Sequence, residues 1–213
     1  MFSKPAIYFI MGTMNAGDKE PLALLEQALL GGISHFQLRE KGPTALKGEA
    51  LRKFALECQR LCNIHQVPFI VNDDVELACE IGADGVHVGQ EDLACASVRS
   101  RIGEGKLLGV SVHSMEEAKC AVEEGADYLG MGPVYGTRSK ADAKVPSGVN
   151  KIIEVSRQYP KIPVVGIGGI TPDNAGAVWG AGATGVAVIS ALAEAEDLEA
   201  EINRFKASMK GED

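Results

Sequence analysis

Gly82-Ala83-Asp84-Gly85-Val86-His87-Val88 is the stretch on which the fold turns. A glycine that closes a helix adopts the left-handed backbone that residues with a Cβ resist, so Gly82 reads as a helix stop. The apolar run after it reads as a buried strand. The same junction returns at Gly31-Gly32-Ile33-Ser34 before Phe36-Gln37-Leu38, at Gly125-Ala126-Asp127-Tyr128 before Leu129-Gly130-Met131, and at Gly182-Ala183-Thr184-Gly185 before Val186-Ala187-Val188-Ile189. Between these lie Ala6 to Met11, Pro68 to Val71, Leu107 to Val112 and Ile162 to Ile167, which makes eight candidate strands. Apolar residues at helical spacing fill the gaps: Pro21 to Leu30, Leu46 to His65, Val75 to Ile81, Cys95 to Ile102, Met115 to Glu124, Val149 to Gln158, Pro172 to Trp179 and Asp197 to Ser208. Ser114 with Glu117 predicts a capping box, and Thr171 before Pro172 predicts a helix start. Eight strand-then-helix units without a Pro- or Ser-rich linker predict a single α/β domain over 1–213, a closed (β/α)8 TIM barrel near the lower end of its length range. The alternative is an open doubly wound sheet, although the first turn lacks the G-x-G-x-x-G of its dinucleotide-binding form.

Composition narrows the function. Among 213 residues, 21 Lys and Arg stand against 29 Asp and Glu, a net charge of −8 that disfavours nucleic acid as a partner. No apolar stretch is long enough to span a bilayer. Met1 to Pro5 carry no export signal, so the expectation is a cytoplasmic chain without a membrane partner. The five cysteines (58, 62, 79, 95 and 120) form no C-x-x-C pair and read as small buried thiols. A homo-oligomeric assembly is left open.

In a barrel of this kind, chemistry gathers at the carboxyl ends of the strands. Reading only those ends yields Gln37, Arg39 and Lys41, then Asn72 and Asp73, then Gln90 and Asp92, then Ser111 and His113, then Thr137 to Lys140, then Gly168 and Gly169, and finally Ser190. Asp73 and Asp92 follow adjacent strands and could share a cation; alternatively, each could simply cap a helix. Two carboxylates plus water and substrate phosphate are how Mg²⁺ is usually held. Gly168-Gly169-Ile170-Thr171, with Ile189-Ser190 on the next strand, suits a single phosphate, since glycines let backbone N–H groups approach an oxygen closely; a plain tight turn is the other reading. The loop Gly132 to Lys144, with Arg138, Lys140 and Lys144, reads as a lid or as a solvated cationic loop. His87 reads as a hydrogen-bonded interior residue, His35 and His65 as peripheral, and His113 as able to reach the mouth. No G-x-S-x-G elbow supports a hydrolase. The set describes a cavity with two anion-binding ends and no obvious general base, as suits a transferase whose diphosphate leaves before a neutral nucleophile attacks.

Gln37-Leu38-Arg39-Glu40-Lys41, Val71-Asn72-Asp73-Asp74, Gly85 to Asp92, Gly109 to His113, Gly132-Pro133-Val134-Tyr135 and Val165 to Ile170 together resemble the thiamine-phosphate synthase family, in order and spacing from about Tyr8 to Ala191. The resemblance implies a (β/α)8 enzyme of thiamine biosynthesis that joins hydroxymethylpyrimidine diphosphate to a thiazole phosphate by a dissociative route. It implies that Gln37, Leu38, Arg39, Glu40, Lys41 and Asn72 hold the pyrimidine diphosphate and that Asp73 and Asp92 bind one Mg²⁺. Ser111 and Lys140 would meet the diphosphate from the other side, with Arg39 and Lys41 completing the catalytic set. Thr137, Arg138, Ser139, Gly169, Ile189 and Ser190 would receive the thiazole phosphate. Gly136 and Ser139 depart from the proline and second threonine common in the family; the hydroxyl survives, while the glycine loosens the loop. Two rival readings are the related thiazole tautomerase, which uses a lid histidine absent from Gly132 to Lys144, and a catalytically silent ligand sensor, in which Arg39, Lys41, Asp73, Asp92 and Lys140 would have decayed.

Overall fold

The computed structural model describes residues 2, 5–137 and 145–209. Eight strands, β1 (Ala6–Met11), β2 (His35–Leu38), β3 (Phe69–Asn72), β4 (Gly85–Val88), β5 (Leu107–Val112), β6 (Tyr128–Met131), β7 (Val164–Ile167) and β8 (Gly185–Val188), pair in parallel in chain order, and β8 closes on β1. That closure excludes the open sheet. Around the barrel run α1 (Pro21–Gly31), α2 (Gly48–Ile64), α3 (Val75–Ile81), α4 (Cys95–Ile102), α5 (Met115–Glu123), α6 (Asn150–Gln158), α7 (Pro172–Gly180), the single turn α8 (Ser190–Ala193) and α9 (Leu198–Ser208). The junction glycines Gly32, Gly82, Gly125 and Gly182 all have positive φ, between 67° and 95°, as a left-handed helix stop requires. No helix among the described residues is long and apolar enough to cross a membrane.

Strand alternation divides the core into two shells. Ile7, Phe9 and Met11 on β1 point outward and join Phe36, Leu38, Phe69, Val71 and the helix faces. Phe9, Phe36 and Phe69 form a row in this outer shell, with ring centroids 6.0 and 6.1 Å apart. Tyr8 and Ile10 point inward with Ile70, Tyr128, Val165, Ala187 and Ile189, so the barrel is filled with side chains.

Several local expectations change. Strand eight ends at Val188, and Ile189-Ser190 begins the unpredicted turn α8; four residues are too few to show helical periodicity. Half of the predicted capping box at Ser114 forms: its hydroxyl accepts from the Glu117 N–H at 3.1 Å, but the Glu117 carboxylate reaches one residue further, to His113 N–H. Cys58, Cys62 and Cys95 are buried as expected, whereas Cys79 and Cys120 are exposed.

His35 is not peripheral. It is 2% exposed at the amino-terminal end of the barrel, stacked on Phe2 at 3.7 Å with the ring planes 7° apart. Nδ1 meets Ser34 Oγ at 3.0 Å, and Nε2 has no partner among the described residues. Burial pushes its pKa down to about 3. An unfolded histidine takes up its proton near pH 6.5, so between these values the unfolded chain binds more protons, and acid favours it. The contribution of His35 to stability is therefore fully present above about pH 6.5 and is lost as pH drops toward 3. Denaturant titrations should find that acidification from pH 7 to 4.5 costs the His35→Phe variant about 2–3 kcal/mol less than the wild type. An equal loss in both proteins would refute this role.

Candidate functional site

Two clefts open at the carboxyl ends of the strands. The first, about 250 Å³, is lined by Arg39, Lys41, Asn72, Asp73, His87, Gln90, Asp92, Ser111 and His113, from the ends of β2 to β5. The second, about 800 Å³, lies between the ends of β1, β7 and β8 and takes in Gly169, Thr171, Ile189 and Ser190. Thr137, Ile167 and Gly168 line both, so the clefts share a wall.

In the first cleft, Lys41 Nζ stands 2.5 Å from Asp73 Oδ2. The cap of α3 is Asp74, whose Oδ1 accepts from the Leu77 N–H at 2.9 Å. That leaves the neighbouring Asp73 to face the mouth from a left-handed backbone with φ +62°. Its pKa is raised: burial is the main cause, Asp92 pushes in the same direction, and Lys41 opposes both. Asp92 is not a helix cap either; its Oδ2 accepts from Gly89 N–H at 2.7 Å and closes the turn after β4. The two acids expected to meet do meet. On the far side, Ser111 and His113 extend from β5, with Gln90 Nε2 donating to Ser111 O at 2.7 Å. His113 is paired with Glu117 at 3.0 Å.

Gln37, expected to touch substrate, lies beneath the first cleft instead of lining it: it is 1% exposed and donates to Tyr8 OH at 2.8 Å. The side chain of Leu38 belongs to the outer shell, so only its backbone is available to the mouth. The Glu40 carboxylate is turned into its own loop, accepting from Thr13 N–H at 2.7 Å, Thr13 Oγ1 at 2.5 Å and Leu46 N–H at 2.9 Å. It organises the rim, tying the β1 and β2 loops together.

The second cleft is built largely from backbone. Gly168 and Gly169 have φ +98° and +63°. A Cβ on Gly168 would stand 2.5 Å from Pro133 Cβ, and one on Gly169 would stand 2.9 Å from Tyr135 Cβ. The loops after β6 and β7 are accordingly zipped together: Val134 N–H donates to Ile167 O at 2.8 Å and Tyr135 N–H to Gly168 O at 2.9 Å. Ser190 opens α8 beside them. Met14, Asn15 and Gly17, from the loop after β1, form a wall that sequence reasoning missed, since they carry no charge or motif to mark them. Arg138, Ser139 and Lys140, and with them most of the proposed lid, lie outside the described residues.

Residues 7–192 match the family described as thiamine monophosphate synthase. The chain belongs to that family. It is 54% identical over 200 residues to the thiamine-phosphate synthase of Lysinibacillus sphaericus, covering 94% of this chain and 93% of that one. With the thiamine-phosphate synthase of Geobacillus thermodenitrificans it shares 52% identity, covering 94% and 90%. The solved thiamine phosphate pyrophosphorylase from Pyrococcus furiosus superimposes with a TM-score of 0.83 at 32% identity, covering 98% and 96%. A member of this transferase family is an enzyme, so the two clefts are read as an active site.

Replacing Asp73 separates backbone demands from charge. Asparagine tolerates the left-handed conformation and removes an ionised group that burial disfavours, whereas alanine resists that conformation. Thermal melting should find Asp73→Asn at least as stable as the wild type and Asp73→Ala about 1 kcal/mol below Asp73→Asn. Equal stability of the two variants would contradict the backbone argument.

Proposed function

We propose that the enzyme joins 4-amino-2-methyl-5-hydroxymethylpyrimidine diphosphate to 4-methyl-5-(2-phosphooxyethyl)thiazole, or to its carboxylated form with additional loss of that carboxylate as CO2, releasing diphosphate and forming thiamine phosphate. The observation that carries this reading is the shared wall. A cleft rich in charged side chains and a cleft rich in backbone donors adjoin at Thr137, Ile167 and Gly168, so two phosphorylated ligands could lie side by side.

The residues fit a magnesium ion. Burial and the neighbouring Asp92 both raise the pKa of Asp73, with Lys41 opposing them, an arrangement a further cation relieves. Among the described residues no His, Cys, Asp or Glu joins them as a third ligand, which suits an ion that keeps waters and takes substrate oxygens. When bound, Mg²⁺ supplies positive charge to the diphosphate oxygens. Arg39 and Lys41 add cationic donors on one side, Asn72 and Ser111 add neutral ones, and by resemblance Lys140 adds a further cation.

These donors favour the charge that develops as the methylene C–O bond breaks and its electron pair departs with the diphosphate. The pyrimidine-methyl cation left behind is captured by the lone pair of the thiazole nitrogen, which forms the C–N bond. No proton has to leave a reacting atom, so the chemistry calls for no general base. Gly169, Ile189, Ser190 and Thr137, joined by Arg138 and Ser139 on the resemblance, hold the thiazole phosphate and aim its nitrogen across the shared wall.

Incubation of the protein with both precursors and Mg²⁺ should yield thiamine phosphate by mass spectrometry, and EDTA should abolish it. Asp92→Ala should lower turnover more than about a hundredfold while the chain stays folded by circular dichroism. Absence of product from the wild type, or full turnover by the variant, would defeat the reading.

A further inference from the structure

Beneath the first cleft, a file of polar side chains runs through the barrel interior, an unusual place for them. Gln37 Nε2 donates to Tyr8 OH at 2.8 Å, Tyr8 OH meets Tyr128 OH at 2.8 Å, and Tyr128 OH meets His87 Nδ1 at 3.0 Å. His87 Nε2 then meets Ser111 Oγ at 2.9 Å, at the floor of the cleft. Tyr8 and Tyr128 are 1% and 0% exposed. Burial pushes both phenols far above their usual pKa, so both hydroxyls keep their protons.

Space for the file is made by two glycines on neighbouring strands. A Cβ on Gly109 would run into the Tyr128 ring and hydroxyl and into His87 Nδ1; one on Gly130 would stand 3.1 Å from His87 Cε1. The barrel gives up two side chains to seat these rings.

The orientation of the Gln37 amide sets the direction of these bonds. Tyr8 oxygen already accepts from Gln37, so its proton goes to Tyr128; the Tyr128 proton goes to His87 Nδ1, and the imidazole proton sits on Nε2 and is donated to Ser111. Ser111 Oγ, accepting from below, has its own proton left to give upward. Run backward, with the Gln37 amide turned over, Ser111 would spend its proton on His87 and offer an anion only lone pairs.

We propose that Gln37, Tyr8, Tyr128 and His87 form a one-way hydrogen-bond chain that holds the Ser111 hydroxyl as a donor into the first cleft, with Tyr128 and His87 as positioning residues for departure of the diphosphate. The inference rests on the diphosphate reading of that cleft.

A double-mutant cycle tests it. Tyr128→Phe should lower kcat about tenfold, the scale of a misdirected hydrogen bond to a charged group, with KM for the thiazole phosphate unchanged. In a Ser111→Ala background the same change should cost almost nothing, because there is no hydroxyl left to aim. His87→Gln, whose amide N–H can replace Nε2–H, should retain more activity than His87→Asn, which is too short to reach Ser111. Losses that multiply independently, or equal activity in the Gln and Asn variants, would make the chain purely structural. Should Tyr128→Phe fail to fold, the Gln and Asn pair decides the matter alone. A wild type that forms no thiamine phosphate would overturn the functional reading itself, an outcome distinct from any of these.

Discussion

Closure of eight parallel strands is the constraint from which the rest of the molecule follows. Every strand must turn alternate residues into a narrow interior, and the last inward residue of each arrives at the same rim. Ser111 on β5 is such a residue and Asn72 stands at the end of β3, while Gln37 on β2 lies beneath them in the interior. Neighbours in the barrel are thereby brought together although they lie tens of residues apart in the chain. The outward residues, Phe9, Phe36 and Phe69 among them, anchor the helices and keep this register from slipping, since a one-residue shift would bring apolar side chains to the mouth.

The rim then has to solve an electrostatic problem. The chain carries a net charge of −8, and on the proposed function the first cleft must nevertheless receive an anion. Its answer is local: Arg39 and Lys41 follow β2 directly, and the two acids they face are held close together rather than dispersed. Asp73 is partly buried, occupies a backbone conformation uncommon outside glycine, and stands close to another carboxylate. Each of these features works against stability, and all of them fall on one residue. Such concentration of cost is the mark of a site shaped for function, with the outer core supplying the stability that the rim gives up.

Which parts of this could be read from the sequence follows from how local each signal is. Helix stops at Gly32, Gly82, Gly125 and Gly182 depend on the backbone of one residue, and the strand after each depends on a few apolar neighbours, so the (β/α)8 order was legible. The rim residues were legible because a parallel barrel assigns position from order alone. Features decided by a partner distant in sequence were hidden. His35 looks like any strand-start histidine until Phe2 is folded over it. Glu117 forms only half of its capping box because His113, with both its N–H and its ring, competes for the same carboxylate. Glu40 belongs to a conspicuous run of polar residues, yet one of its partners, Thr13, comes from the loop after β1. Met14 and Asn15 wall the second cleft through position rather than chemistry.

The interior polar file extends this reasoning from the rim into the core. A buried hydroxyl without a partner costs about 1–3 kcal/mol, so placing two tyrosines, a glutamine and a histidine inside a barrel is tolerable only if each satisfies the next. Tyr8 and Tyr128 stand 120 residues apart, and His87 reaches across to Ser111 on the neighbouring strand. An apolar filling would have been simpler to pack and less exposed to error, because a network missing one member is worse than none. In the proposed direction, the file also supplies something an apolar core cannot: an orientation for every proton between Gln37 and the mouth. A leaving anion needs donors already oriented before charge appears, since water that must reorient at that moment raises the barrier. The same chain of contacts that fills the barrel thus fixes the rim from below, while Lys41, Asp73 and Asp92 shape it from the side.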